Sequence, residues 1–146
     1  MRGPGNVTAM DLERFVSAQD DGGTYNQALA ELRRGRKTSH WMWFVFPQIA
    51  GLGRSSMAQA YAIGSVSEAQ AYLAHPVLGP RLVECAKTVA GHHGRSAEEM
   101  LGSIDAVKLR SSMTLFAAAD PEQPIFQQVL DLYFDGQADP ETVSRL

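Results

Sequence analysis

The stretch PVLGPRLVECAKTVAG, residues 76–91, decides how this chain folds. Leu78, Leu82, Cys85, Ala86 and Val89 recur at spacings of three and four, the period that stacks side chains on one face of an α-helix. Pro76 or Pro80 falls in the first turn, where a missing N–H is tolerated, and Gly91 supplies the stop. A strand would alternate instead, so this segment is read as a helix with a buried stripe.

The same pattern extends in both directions. Upstream, Ser65 and Glu68 have capping-box spacing, Ala69, Tyr72 and Leu73 follow as an apolar face, and His75 with Pro76 ends the segment. Downstream, Ser96 and Glu99 repeat the box before Met100 and Leu101. Residues 103–119 are helical in pattern, with Ser111 the one place where a break is open. Pro124 opens a helix carrying Ile125, Val129, Leu130, Tyr133 and Phe134, closed by Asp135 and Gly136, and Asp139 caps a last turn. Nearer the start, Met10, Leu12, Phe15 and Val16 form one amphipathic face ended by DDGG at 20–23. Thr24 is the expected cap of a helix bearing Tyr25, Ala28, Leu29 and Leu32, which runs into Arg33, Arg34 and Gly35. The fold class is therefore mainly α: a compact multihelical single domain over 10–146 behind a flexible leader over 1–9, with room for one minor short strand.

Composition supports this. The 146 residues are 45% hydrophobic and 20% charged, the balance of a packed domain, and the net charge is −3. That acidic balance argues against nucleic acid and against an anionic membrane surface as partners. Cys85 is the single cysteine, which excludes an internal disulfide and a multi-cysteine zinc site, and no metal or other cofactor is expected. The apolar run at 41–47 is too short to cross a bilayer, and no signal-peptide pattern opens the chain, so the expected address is the cytoplasm.

The most unusual stretch is SHWMWFVFPQ at 39–48, which holds both tryptophans and two of the six phenylalanines. Its residue types permit a short strand, and its length permits a buried helical turn just as well. With GLGRSSMAQAY at 51–61, EAQAYLAHPVLGPRL at 68–82, DAVKLRSSMTLF at 105–116 and FDGQADPETVSRL at the end, it resembles the bacterial domain-of-unknown-function family 1810, whose members are sometimes labelled "calpastatin". The resemblance implies a multihelical fold and supplies no activity, cofactor or catalytic residue. Calpain inhibitors are extended chains, whereas this composition builds a core.

Candidate chemistry gathers in three places. In the aromatic stretch, Trp41 and Trp43 are candidate ligand-stacking residues. His40 and Gln48 are the polar groups there that a core does not need. In the glycine turn at 51–56, Arg54 adds charge to a helix start whose free N–H groups suit an anion, although a plain turn with a serine cap explains it equally. On the 103–119 helix, Asp105, Lys108 and Ser112 lie at i, i+3 and i+7. Lys108 could activate Ser112 as a nucleophile with Asp105 orienting it, or the three could be no more than a surface pair and a helix hydroxyl. Asp105, Lys108, Ser112 and His40 are the catalytic candidates, and Trp41, Trp43, Gln48 and Arg54 the ligand-binding ones.

The run Arg33, Arg34, Arg36, Lys37 is read as a solvated helix end, His92 and His93 as a polar loop, and Cys85 as core. Two functions follow as expectations. One is a small-molecule site, a binder or enzyme for a nucleotide-like or other anionic metabolite, in which His40 and Lys108 line one cleft. The other is a non-catalytic protein–protein interaction domain with an exposed apolar patch. Oligomeric state is open.

Overall fold

The structure, a computed structural model, describes the backbone of residues 4–146 and the side chains from Leu12 onward. It is mainly α. Helix α1 spans Pro4–Asp20 and α2 spans Thr24–Arg34, joined by a 3-10 turn at Asp21–Gly23. The aromatic stretch holds α3 (Met42–Val45), followed by α4 (Ser56–Ala60), α5 (Val66–Ala74) and α6 (Leu78–Ala90). Then come α7 (Ala97–Leu101), α8 (Ser103–Ala119), α9 (Pro124–Tyr133) and α10 (Pro140–Val143). The leader expected over 1–9 falls on residues whose side chains lie outside this description, and α1 is helical from Pro4.

Of the two conformations open to 41–46, the chain takes the helical one: Met42–Val45 form a single helical turn. The β-pairing among the described residues is one isolated parallel bridge between Ile49 and Ile63. α8 also runs unbroken through Ser111. The hydroxyls of Ser111 and Thr114 turn back to the carbonyls four residues earlier, Val107 and Arg110, so they do not compete with the helix. Thr24 is a smaller correction. Its hydroxyl donates to the Asp21 carbonyl, and the N-cap of α2 is Gly23.

α8 is the central element, packing against α5, α7, α9 and α10, while α6 packs on α2, α5 and α9. A run of aromatic contacts ties these layers together: Phe15 meets Tyr72 edge-on at 5.2 Å, Tyr72 meets Phe116 at 5.3 Å, and Phe116 meets Phe126 at 5.8 Å. At the α5–α6 corner a Cβ on Gly79 would collide with the Leu73 carbonyl, so only glycine lets the two helices turn so tightly. The stripe that led the sequence reading, Leu78, Leu82, Cys85, Ala86 and Val89, is buried throughout.

The end of α2 positions everything that follows. Gly35 is left-handed at φ 72°, with its N–H on Leu32 and the Arg36 N–H on Glu31, a Schellman closure. The loop at 92–95 locks this end. His92 Nε2 donates to the Leu32 carbonyl at 2.6 Å, and Arg95 donates to the Gly35 carbonyl at 3.0 Å. From there the chain runs past α7, where the Lys37 N–H bonds the Met100 carbonyl at 2.8 Å.

Candidate functional site

Glu31 is a carboxylate in the middle of the apolar face of α2 and is fully buried. Five donors surround it. The Thr38 and Ser39 N–H groups reach Oε1 at 2.7 and 3.0 Å, the Trp41 indole N–H reaches Oε1 at 3.0 Å, and Ser39 Oγ and Gln27 Nε2 reach Oε2 at 2.5 and 2.8 Å. Burial alone would raise its pKa. The hydrogen bonds from Ser39, Gln27, Thr38 and Trp41 outweigh that and hold it well below the usual carboxylate range. This knot fixes the backbone of 38–41 and sends Trp41 into the core.

The next residues form one wall of a cleft of about 330 Å³. Lys37, His40, Met42 and Trp43 face the α7–α8 corner, from Leu101 to Lys108, across it. Gly102, at φ 86°, turns the chain between those two helices, and no side chain caps the start of α8. The first N–H groups of a helix have no partner within it, so the positive end of the α8 dipole borders the cleft. Asp105 stands between two ammonium groups: Lys37 Nζ lies 2.9 Å from Oδ2 and Lys108 Nζ 3.5 Å from Oδ1. The two lysines also sit near aromatic rings, Lys37 at 5.1 Å from the Trp41 centroid and Lys108 at 5.5 Å from that of Trp43.

The structure therefore brings four expected residues, His40, Trp43, Asp105 and Lys108, to one cleft, from segments more than sixty positions apart. The remaining four lie elsewhere. Trp41 is in the core, held by Glu31, and offers no face to a ligand. Ser112 is fully buried with its hydroxyl unpartnered among the described residues. It shares an azimuth with Asp105, but α8 enters the interior at Ser111 and its next five residues are all buried, so the nucleophile reading fails on access. Gln48 lines a second cavity of about 410 Å³ on the far side of Lys108. Arg54 is exposed before α4, whose N-cap is Ser55, accepting from the Ala58 N–H at 3.1 Å. That helix has five residues, and the turn before it is a plain capped turn.

Lys37 was missed. Sequence reasoning placed it in a solvated basic run, yet its side chain is 8% exposed and paired inward. Gly35 already ends α2, so Lys37 lies past the helix terminus and the dipole argument never covered it. Arg33, Arg34 and Arg36 are exposed, with Arg33 3.8 Å from Glu84. Cys85 is buried against Tyr25, and burial pushes its thiol up to about 12, which suits core and not nucleophile. Among the described residues no cluster of His, Cys, Asp and Glu is gathered to hold a metal, and no helix is long and apolar enough to cross a membrane.

Fold and site together define a mainly helical domain with a lysine-flanked cleft at the start of its central helix. The chain belongs to the protein family of unknown function DUF1810, whose model matches residues 9–146. It is similar to the crystal structure of the conserved hypothetical protein Rv1873 from Mycobacterium tuberculosis, at 52% identity and a TM-score of 0.90, covering 93% of this chain and 96% of that one. No curated protein matches.

Proposed function

We propose that the cleft between residues 37–43 and the start of α8 binds a small anionic molecule with a ring or other apolar body, nucleotide-like metabolites among them. The carrying observation is the convergence of Lys37 and Lys108 on the single carboxylate of Asp105, beside Trp43 and His40. A structural ion pair needs one ammonium group. Two lysines against one aspartate leave one positive charge at the cleft, and the Lys37 side chain is turned inward from water to stand there. An anion between the ammonium groups and the α8 N-terminus would balance that charge. A ring would lie on Trp43, and His40 at the rim would offer a hydrogen bond.

Thermal stabilisation across a panel of anionic metabolites, repeated with Lys108→Ala, tests the reading. A ligand at about 100 times its Kd adds roughly 2.7 kcal/mol. A stabilising compound whose effect is lost in the variant supports the proposal, and a panel without any shift contradicts it. One observation favours a second reading, a protein-interaction surface: Ile104 and Val107, one turn apart on α8, are 73% and 62% exposed. Concentration-dependent self-association or partner capture abolished by Val107→Asp would support it.

A further inference from the structure

The cleft has a neighbour of opposite character. The second cavity runs along the same helix, lined by Leu52, Ile104 and Val107 together with Gln48, Gly53 and Glu141, and Asp139 stands beside Ser111. Ile104 and Lys108 line both cavities, so the two meet at that step. On α8 the combined lining runs from Ser103 to Ser111, which at 1.5 Å per residue is about 12 Å. Charge is graded along that length. Lys37 and Lys108 with Asp105 leave one positive charge at the α8 start. Past Lys108, the charged groups of the second cavity are carboxylates, Asp139 accepting from Ser111 and Thr142, and Glu141 paired with Arg145 at 3.0 Å.

Resting on the reading above, we infer that the ligand is a monoanion with one extended apolar arm, its carboxylate at Lys37 and Lys108 and its arm laid over Ile104 and Val107 toward Leu52. Four features support this occupant. The single uncompensated charge matches one carboxylate rather than a polyphosphate. The arm accounts for two aliphatic side chains that α8 otherwise leaves in water. A second anionic group at the far end would meet Asp139, which has no ion pair among the described residues, so compounds charged at both ends are disfavoured. The occupant is a free small molecule, because the length of the lined groove sets an upper limit on what it can cover.

The test is the affinity of the full chain for acetate, hexanoate and decanoate, with decanedioate and decanol as comparisons. Affinity should rise by up to about fourfold per methylene buried in the second cavity, levelling off near decanoate. Decanedioate and decanol should both bind more weakly than decanoate, one through repulsion at the acidic end and the other for want of charge. Val107→Asp, at an exposed position that does not threaten folding, should flatten the length series, as should Ile104→Ser. Carboxylates that bind with no length dependence, or decanedioate binding as well as decanoate, would overturn the inference. If that binding still weakened in Lys108→Ala, the anion site itself would stand. If no carboxylate of any length bound, this inference would fall, and the anion site would stand or fall separately on the metabolite panel.

Discussion

Trp41 and Trp43 are two residues apart and have opposite surroundings. Trp41 is fully buried, its indole N–H spent on a carboxylate that four other groups also hold. Trp43 is half-buried in the cleft wall, facing a lysine and open space. About half a helical turn separates the residue that locks the segment from the residue it displays. The contrast shows how a small domain makes a rigid site on a loop: the polar knot around Glu31 bears the cost of ordering 38–41, and the side chains just beyond it start from a backbone already fixed.

The largest effect should come from cutting the knot. Glu31→Ala leaves the Trp41, Thr38 and Ser39 donors buried without an acceptor. Such losses cost about 3–5 kcal/mol, read as a fall in the urea midpoint at constant slope. Because Glu31 titrates below the usual carboxylate range when folded, its contribution is present at neutral pH and lost as pH falls through the acid range. The stability gap between wild type and Glu31→Gln should therefore narrow on acidification. A gap independent of pH would show that the carboxylate is not charged in the fold.

Trp41→Phe comes next. It removes one buried hydrogen bond and opens a small void, for a cost of roughly 2–3 kcal/mol, with ligand affinity changed only through folding. Trp43→Phe should do the reverse: less than about 1 kcal/mol of stability, matching a partly exposed cation–π contact, but a clear loss of any stabilisation by the bound anion. If both variants lost stability equally, the division between lock and display would be wrong.

Much of the fold could be read from residues whose signal is local. Ser96 and Glu99 form the full capping box their spacing announces, Ser65 caps α5, Asp139 caps α10, and the stripe at 78–89 is buried as its period requires. The site was half legible. Asp105 and Lys108 belong together because helical spacing puts them there, and their meeting with His40 and Trp43 agrees with the expectation of one cleft. Ser112 was misplaced because periodicity fixes an azimuth and says nothing about the depth at which a helix enters the core. Glu31 and Lys37 were overlooked for a related reason: their partners are distant, or come from an irregular segment that no period describes. A charge inside the apolar stripe Ala28, Leu29, Leu32 was the available clue to Glu31, since a buried carboxylate must find donors.

Ser112→Ala is the smallest of these changes. The hydroxyl has no partner to lose among the described residues, so stability should hold within about 0.5 kcal/mol or rise slightly, and anion binding should be unaffected. A large loss of binding in this variant would reinstate the serine as part of the site.

The most direct measurement follows the two indole N–H resonances, assigned with Trp43→Phe, while the protein is titrated with inorganic phosphate and separately with hexanoate. A cleft that takes anions beside Trp43 predicts that the Trp43 signal moves and saturates while the Trp41 signal, shielded by Glu31, stays in place. Two stationary signals under both titrations, or a shift confined to Trp41, would contradict the assignment of this cleft as the binding site.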